Sequence, residues 1–485
     1  MKNKNISYLN RLFRPRAIAV IGASDDVARG ASMFLHALKE NGFPKLYPVN
    51  PHFEEVMGLT CYPNVQDIPE EIDLAIIGIP GQLVPTALED CIAKGVKFAH
   101  IFTAGFKETG AEAGIELENR LIDISKGSLR LIGPNCMGVH CPNSRIRWDK
   151  NHKTFSGKVA FISQSGGHAG HFIEMAVDRG LGICKLISLG NSCDLGVSDF
   201  LEYFLTDPES EIIGLYLEGF QKNEGRHFFD IIKSAKPHKP IVLWKAGKTP
   251  HGARAASSHT AALAGSYDTF LSAARQLGLL LVSSIDEMVD VILSLETSSP
   301  PRGPGVGILG IGGGQSVGIT DGLSLLGLEV PELEEETQKK IAEIIRDPGT
   351  IIKNPVDPGM ACIIDPRKIG QILLIMAEDK NIDALYYHQF VDLLVEWNDR
   401  GRNIDAERIK RELCDVLNDI KGKIPKPIIC AFNSRSGRLE IYKEWLSMRD
   451  AFRRKGIGVY PSLEKASRVL YSLYRYSQSP NELNS

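Results

Sequence analysis

One imidazole, that of His259, stands among small residues in the stretch RAASSHTAALAGS, residues 254–266. Small side chains bury little apolar area, so packing cannot hold such a stretch in one place. The sequence therefore predicts a mobile loop that carries one reactive group. A lone histidine also fits a structural or surface role, but nothing around His259 is large enough to bury it.

Two other features could share chemistry with His259. Glu218 lies near the end of the apolar run EIIGLYLEG (211–219), and a carboxylate at the carboxyl end of a strand either orients a ligand or forms a helix cap or an ion pair. The turn SQSGG (163–167) follows a second apolar run, and successive backbone N–H groups in such a turn can cradle an anion with help from the helix dipole. The candidate phosphate-binding residues are Ser163, Ser165, Gly166 and Gly167.

A histidine, a carboxylate and an anion-binding turn together suggest phosphoryl transfer. An imidazole nitrogen would attack a phosphoryl group, while the carboxylate holds the opposite nitrogen and stabilises the positive charge that develops. Helix N-termini would receive the phosphate. The chain carries GKT at 247–249, but the first glycine of a nucleotide-binding loop would fall at position 242, which is Val. A phosphoryl group on His259 would therefore have to travel to a nucleotide held elsewhere.

The elements that must position these residues follow a parallel α/β pattern, because short β-branched runs alternate with helix-like stretches. The predicted strands are AIAVIGAS (17–24), LYPVN (46–50), DLAIIGIP (73–80), FAHIFTAGF (98–106) and LRLIGPN (129–135) in a first block; KVAFISQSGG (158–167), CKLISLGN (184–191), EIIGLYLEG (211–219), PIVLWKAGK (240–248) and LLLVSS (279–284) in a second; and GVGILGIGGG (305–314), NPVDP (354–358), ALYYHQF (384–390), KPIICAFN (426–433) and GIGVYPS (456–462) in a third. We expect a Rossmann-like domain (1–148), two flavodoxin-like domains (155–298 and 304–475) and a polar tail (476–485). The second domain would carry His259.

The first block departs from the usual dinucleotide site. After Gly22 the next glycine is Gly30, so the glycine fingerprint is absent, and the second strand ends in Asn50 instead of an acidic residue. Two interpretations stay open. The domain either has no ligand, or it holds a phosphate-bearing ligand on the turn 22–24 and the following helix N-terminus, where Arg29 could pair with a phosphate.

Composition excludes several classes of protein. The 485 residues are too many for one ordinary core, so roughly two to four domains are expected. A net charge of −3 with scattered Lys and Arg gives no signal for nucleic acid or an anionic membrane. No apolar run approaches the roughly 20 residues of a membrane span. Nine cysteines without a C-x-x-C pair indicate neither a metal site nor a disulfide framework, and a reducing cytoplasm fits them.

The combined motifs resemble the α subunit of the ADP-forming (NDP-forming) acyl-CoA synthetases, relatives of succinyl-CoA synthetase. The resemblance runs from about residue 8 to residue 475, in the same domain order. The motifs that carry it are VIGAS (20–24), VNP (49–51), IFTAGF (101–106), GPNCMG (133–138), ISQSGG (162–167), SLGN (188–191), YLEG (216–219), ARAASSHTAALAG (253–265) and NPVD (354–357).

The resemblance implies a role for each motif. His259 corresponds to the phosphorylated histidine, Glu218 to the carboxylate that positions it, and Ser165 with Gly166 to the helix N-terminus that receives phosphate. CoA would lie along Gly22, Ala23, Ser24, Asn50, Pro51, Thr103, Ala104, Gly105 and Asn135.

The resemblance also implies the reaction acyl-CoA + phosphate + ADP ⇌ carboxylic acid + CoA + ATP, through an acyl phosphate and a phosphohistidine on the mobile loop. ADP or ATP with Mg would bind to a separate ATP-grasp β subunit, in an α₂β₂ complex, because this chain shows no ATP-grasp-like region.

Some positions depart from the family pattern and leave the acyl group open. They are Ala261 in place of the glycine after S-H-T, Gly167 and His168 in place of small apolar residues, and Ser192 and Cys193 in place of Lys-Ala before Asp194. Two other classes stay open. A CoA-binding or regulatory relative without turnover would need neither His259 nor Glu218, and a nicotinamide-dependent dehydrogenase would need the missing fingerprint.

Overall fold

The computed structural model describes residues 6–149, 155–221, 223–236, 238–260, 266–359, 362, 364–399 and 405–479, and of residues 6, 256–260 and 397–399 it describes only the backbone. The chain divides into two compact units, Met1–Val289 and Asp290–Ser485. No helix in these described ranges combines the length and the apolar character needed to traverse a lipid bilayer.

The described part of the chain alternates strands and helices. The strands are β1 (Ile18–Ile21), β2 (Leu46–Val49), β3 (Glu55–Val56), β4 (Leu59–Thr60), β5 (Leu74–Ile77), β6 (Phe98–Ile101), β7 (Arg130–Ile132), β8 (Gly138–His140), β9 (Val159–Ser163), β10 (Ile183–Ser188), β11 (Ile212–Leu217), β12 (Ile241–Lys245), β13 (Leu280–Leu281), β14 (Val306–Gly310), β15 (Ala384–Phe390), β16 (Ile428–Asn433) and β17 (Val459–Tyr460). The α-helices are α1 (Asn10–Phe13), α2 (Ser32–Glu40), α3 (Val84–Lys94), α4 (Glu112–Ser125), α5 (Gly166–Arg179), α6 (Val197–Thr206), α7 (Glu224–Ser234), α8 (Pro250–Thr260), α9 (Tyr267–Gln276), α10 (Ile285–Thr297), α11 (Gly313–Leu325), α12 (Glu335–Ile344), α13 (Pro366–Glu378), α14 (Asp392–Asp399), α15 (Ala406–Lys423), α16 (Leu439–Arg453) and α17 (Leu463–Ser477).

The first sheet contains the five strands predicted for the first block, in the order β2-β1-β5-β6-β7, and all its pairs are parallel. Its central strands are buried on both faces, which explains why they read as continuous apolar runs. The direction of the connections reverses between β1 and β5. Ligands of open α/β sheets bind at the carboxyl ends of the strands at such a switch point.

The second sheet has the order β13-β12-β11-β9-β10-β8. Its five parallel strands are those predicted for the second block, and their order along the sheet is the flavodoxin-like one. The sequence does not predict β8, which belongs to the segment assigned to the first block and pairs antiparallel with β10. Three residues are too few to show a period, so only the tertiary structure reveals this edge strand.

The third sheet, in the unit Asp290–Ser485, is a parallel sheet with the order β14-β15-β16-β17. The prediction of a strand at NPVDP (354–358) is wrong. Val356 forms only an isolated parallel bridge with Leu309, beside β14. Asp357 forms a second isolated bridge, antiparallel, with Ile351. Pro355 and Pro358 lack the backbone N–H that a ladder needs, so the segment forms isolated bridges instead of a strand. With this correction, the α/β fold class expected from the sequence is confirmed.

Candidate functional site

A cleft of about 1140 Å³ opens at the carboxyl ends of β1, β2 and β5, at the switch point of the first sheet. The sequence-predicted residues that line it are Gly22, Ser24, Arg29, Asn50, Pro51, Thr103, Ala104 and Asn135. Ala23 is buried behind the wall, where its carbonyl accepts a hydrogen bond from Asn50 Nδ2 at 2.8 Å. Gly105 lies beside the cleft instead of in its wall, and its backbone N–H donates to Glu108 at 2.7 Å. A volume of this size is at the upper end of small-molecule sites.

Three backbone segments approach closely at the floor of the cleft, and the approach requires glycine. Gly22 has φ +86°, and a Cβ there would lie 2.6 Å from the carbonyl oxygen of Gly78. Gly30, at the start of α2, has φ +52°, and a Cβ there would lie 2.4 Å from the same oxygen. The glycines at 22 and 30 thus serve the close packing of the turn on β5, although their spacing does not match the dinucleotide fingerprint.

Side chains fix the rim of the cleft. Thr103 Oγ1 donates to the carbonyl of Ile79 at 2.7 Å, and the Asn135 N–H donates to the carbonyl of Thr103 at 3.0 Å. The side chain of Arg29 is 82% exposed and lies 3.9 Å from Asp26, a weak pair that leaves the guanidinium accessible to a phosphate. Sequence reasoning missed other lining residues, which come from segments without a motif: His52, Phe53, Asn64 and Asp90.

The predicted anion-binding turn lies at the carboxyl end of β9. Ser163 Oγ donates to the carbonyl of Ser165 at 2.7 Å and accepts from its N–H at 3.1 Å, which locks the turn. Ser165 is the N-cap of α5, and its Oγ accepts from the N–H of His168. A Cβ on Gly167 would meet its nearest neighbour only at 3.9 Å, so the first turn of this 14-residue helix is open at that position. N–H groups of a first helical turn have no partners within the helix and can bind an anion.

Glu218 follows β11 directly and is 8% exposed. The side chain of Gln164, from the anion-binding turn, binds the backbone of Glu218 and Gly219. Its Oε1 accepts from the N–H groups of Glu218 (2.6 Å) and Gly219 (3.1 Å), and its Nε2 donates to the carbonyl of Gly219 (2.9 Å). The hydroxyl of Tyr216 donates to Glu218 Oε1 at 3.2 Å. The structure therefore brings the predicted carboxylate and the predicted phosphate turn together. Sequence reasoning missed the role of Gln164, although this residue lies inside the motif SQSGG.

The prediction of a loop at 254–260 is wrong for the backbone, since Pro250–Thr260 is the helix α8. Alanine has the highest helix propensity and the segment contains several, which outweighs its small apolar area. His259 lies in the last turn of α8, but its side chain and all of Ala261 lie outside the described residues. The helix contacts the short turn Lys107–Thr109, which follows Gly105 at the rim of the cleft.

Asn191, the last residue of the motif SLGN, connects this rim to the second sheet. Its Nδ2 donates to Glu108 at 2.5 Å and to Glu118 at 2.7 Å, and its N–H donates to the carbonyl of Pro134 at 3.0 Å. Burial raises the pKa of Glu118 above its ordinary value. Burial also acts to raise the pKa of Glu108, but hydrogen bonds from Asn191 and from backbone N–H groups outweigh it and lower that pKa.

One of the departures from the family pattern, His168, lies at the site, and another, Cys193, packs against the core of the first sheet. The ring of His168 stacks on Trp244, with centroids 4.9 Å apart, and lies 4.3 Å from the ring of Tyr216. Burial lowers the pKa of His168, with a further contribution from His171. Burial raises the pKa of the Cys193 thiol well above its ordinary value. In the described ranges, no group of three or more His, Cys, Asp or Glu side chains could hold a metal ion.

Asp194 fixes the turn after Asn191, and its replacement tests that role. It accepts from Arg130 Nε (2.8 Å) and Nη2 (2.9 Å) and from the Leu131 N–H (2.8 Å). We expect Asp194→Asn to lower the free energy of unfolding by about 1 to 3 kcal/mol, since a half-buried bidentate pair loses its charge. The measurement is the melting temperature of the purified chain.

The exposed pair of Lys158 and Glu211, 2.8 Å apart, provides the control for that measurement. Glu211→Gln is expected to change the stability by less than about 0.5 kcal/mol. Equal melting temperatures for Asp194→Asn and Glu211→Gln would contradict the role given to Asp194.

Two family models match this chain. One describes a CoA binding domain and covers residues 16–142, and the other describes a succinyl-CoA ligase like flavodoxin domain and covers residues 156–295. The first contains the cleft, and the second contains the anion-binding turn, Glu218 and His259.

Similar proteins are known from archaea. The chain is 38% identical to the α subunit of acetate–CoA ligase (ADP-forming) II of Pyrococcus furiosus over 97% of this chain and 98% of that subunit. It is also 38% identical to acetate–CoA ligase (ADP-forming) I of Archaeoglobus fulgidus, over 78% of this chain but only 54% of that protein, so it spans about half the length of that relative. Among solved structures, the acetyl-coenzyme A synthetase 1 of Ca. Korarchaeum cryptofilum, in complex with phosphate and ADP, matches with a TM-score of 0.84 and 32% identity over 98% of each chain.

Proposed function

The chain belongs to the family of ADP-forming acyl-CoA synthetase α subunits, and we propose that it interconverts acyl-CoA, phosphate and ADP with a carboxylic acid, CoA and ATP, together with a β subunit. The relatives named above are all enzymes, which favours turnover over a regulatory CoA-binding role.

CoA fits the cleft of the first sheet. Gly22, Gly30 and Gly78 line the cleft and pack closely on one another, so backbone forms this part of the wall and a pyrophosphate can lie against it. Arg29 stands at the rim as a cation for a phosphate. The wall from Asn50 to Asn135 then leads towards Gly105 and the turn that contacts α8. We place the thioester at that end, because the phosphoryl chemistry must reach it.

The proposed reaction has three steps. A phosphate oxygen attacks the thioester carbonyl carbon, the C–S bond breaks, and CoA leaves as the thiol after taking a proton. A nitrogen of His259 then attacks the phosphorus of the acyl phosphate, the bond from phosphorus to the acyl oxygen breaks, and the carboxylate leaves. Glu218 holds the opposite ring nitrogen, and the N-terminus of α5 at Ser165 and Gly166 receives the phosphate charge. The phosphoryl group finally passes from His259 to ADP.

The observation that carries this proposal is the hydrogen-bonded link between Gln164 and Glu218. It joins the anion-binding turn before α5 to the backbone of Glu218 and Gly219, and so holds the residue that carries the carboxylate beside that turn. A carboxylate beside a phosphate site is unfavourable unless a cationic or protonated group stands between them. An imidazole that accepts a phosphoryl group supplies such a group, and His259 on the neighbouring segment is the candidate.

The rest of the assembly follows from the relatives. This chain covers 98% of a protein named as an α subunit, and that name supports a β-subunit partner. We assign to that subunit the ATP-grasp fold and the ADP or ATP with Mg, in an α₂β₂ complex. The nine cysteines are free thiols, which supports a reducing cytoplasm. The first and third sheets lie within the proposed domain limits 1–148 and 304–475, and the five parallel strands of the second sheet lie within 155–298, while its edge strand β8 comes from the first of these segments.

The proposal predicts a phosphohistidine. The purified chain, alone and with a co-produced ATP-grasp partner, is incubated with labelled inorganic phosphate and a panel of acyl-CoAs. We expect acid-labile, base-stable phosphate on His259 with at least one acyl-CoA, detected by mass spectrometry, and the responsive acyl-CoA identifies the substrate class.

His259→Ala is the control, and its CoA affinity is measured by calorimetry. The variant should bind CoA as the wild type does and incorporate no phosphate. Absence of label in the wild type with every acyl-CoA and with the partner, while CoA still binds, would overturn the proposed chemistry.

A further inference from the structure

Lys245, the last residue of β12, is a buried lysine with no role in the steps proposed above. It is 8% exposed, and its Nζ donates to two backbone carbonyls, those of Glu218 (2.7 Å) and Ala246 (2.6 Å). Its ammonium also lies 5.9 Å from the centroid of the Phe270 ring. Burial of a charge is unfavourable unless the charge is well paired, so a buried lysine on carbonyls requires an explanation.

A second buried lysine in the same sheet shows the ordinary arrangement. Lys185 on β10 is 1% exposed and pairs with two carboxylates, Asp207 at 2.7 Å and Glu209. Those carboxylates stabilise its charge and raise its pKa against the effect of burial. Lys245 has no such pair among its described hydrogen bonds, and burial lowers its pKa to about 8, although the field of Glu218 acts to raise it.

Of the two carbonyls bound by Lys245, one belongs to Glu218, the proposed carboxylate, and the other to Ala246, the residue after Lys245 along the chain. Leu217, the last residue of β11, pairs with Lys245 in the register of β11 and β12, and Glu218 comes directly after it. Ala246 begins the turn that leads into α8, the helix of His259. One ammonium therefore ties the backbone of Glu218 to the turn that follows β12 and precedes α8.

The ammonium of Lys245 lies within the electrostatic influence of Glu218. On β11, Tyr216 donates a hydrogen bond to that carboxylate, and burial raises the pKa of Tyr216 so that it stays neutral. From α9 the neighbour is the uncharged ring of Phe270. Its own strand continues into Ala246, and β13 is apolar. Glu218 is therefore the charge to which this ammonium responds.

We propose that Lys245 is a positioning residue for phosphoryl transfer, which holds the backbone of Glu218 against the turn after β12 and lowers the repulsion between Glu218 and the phosphoryl group that arrives. The inference rests on the proposed function, since it takes His259 as the phosphoryl acceptor. The ammonium is present below its pKa and is lost as the pH rises through it, so phosphorylation of His259 should decline on the alkaline side.

The test measures the initial rate of His259 phosphorylation between pH 6.5 and 9.5, with the acyl-CoA that labels the wild type. Lys245→Met keeps the apolar stem without the charge, and we expect a loss on the order of 10- to 100-fold with no alkaline decline near pH 8. Lys245→Arg keeps a charge that does not titrate in this range, and we expect a partly restored rate that no longer declines near pH 8.

Lys239 provides a matched control. Its Nζ also donates to two backbone carbonyls, those of Phe204 (2.8 Å) and Asp207 (2.6 Å), just before the opposite end of β12. Lys239→Met should leave the rate and the pH profile unchanged. A Lys245→Met chain with the wild-type rate and the wild-type alkaline decline would overturn the inference, as would an equal loss in Lys239→Met.

Two further outcomes are also decisive. If Lys245→Met does not fold, the pH profile of Lys245→Arg decides, and an unchanged alkaline decline in that variant overturns the role. If the wild type itself gives no phosphohistidine, the proposed function fails and this inference fails with it. A wild type that is labelled, with Lys245 variants that keep its rate and pH profile, would instead overturn only the role of Lys245.

Discussion

Glu218→Gln is expected to slow phosphorylation of His259 by a factor on the order of 10² to 10⁴ while CoA binding stays at the wild-type level. The side chain is buried at the end of β11, and its backbone is held by Gln164, so the amide should occupy the same place. What is lost is the negative charge that fixes the imidazole tautomer and stabilises its positive charge. Loss of such a carboxylate in a histidine-based catalytic unit is known to have an effect of this size. Label incorporation under single-turnover conditions gives the rate, with His259→Ala as the floor.

Tyr216→Phe separates the charge of Glu218 from its hydrogen bond. The hydroxyl of Tyr216 donates to Glu218 Oε1 at 3.2 Å, a long bond whose loss should cost about 1 kcal/mol or less and slow the reaction by no more than about fivefold. The carboxylate itself remains. If the phosphorylation rates of Glu218→Gln and Tyr216→Phe fall by the same small factor, the carboxylate of Glu218 has only a structural role.

The sheets were largely predictable because parallel strands are buried on both faces. Runs such as VAFIS in β9 and IIGLYL in β11 are apolar throughout and end at glycine or polar residues, so sequence reasoning locates them with their carboxyl ends. The strand predicted at NPVDP does not form, because two prolines flank its one β-branched residue, Val356, and leave it only an isolated bridge. The edge strand β8 could not be predicted, because its only evidence is a pairing with residues far along the chain.

The family and the CoA-binding domain, both predicted from combined motifs, are confirmed by the comparisons. The site residues remain predictions, although several of them lie where the motifs placed them. The sequence could not show that Gln164 and Lys245 hold the backbone of Glu218, or that Asn191 bridges two glutamates. These contacts join residues separated by 27 to 83 positions. Hydrogen bonds of this range depend on tertiary structure and leave no local pattern.

Gly22→Ala is expected to raise the dissociation constant for CoA at least about tenfold and to lower the melting temperature. A residue with a side chain at φ +86° is strained by about 1 kcal/mol, and the new methyl group would stand 2.6 Å from both the Gly78 carbonyl oxygen and Ile79 Cγ2. Relief of such an overlap moves the floor of the cleft and costs a further 1 to 3 kcal/mol, on the order of other overpacked sites. Calorimetric titration with CoA and thermal denaturation measure the two effects.

Gly127 allows the strain to be separated from the overlap. It has φ +79° in the same domain, is exposed, and a Cβ there would meet nothing within 4 Å. Gly127→Ala should therefore lose about 1 kcal/mol of stability from the backbone alone and bind CoA as the wild type does. The difference between the two variants measures the contribution of the close approach of the turn to β5, against which we propose that a pyrophosphate lies. Wild-type CoA affinity in Gly22→Ala would place the CoA site away from this turn.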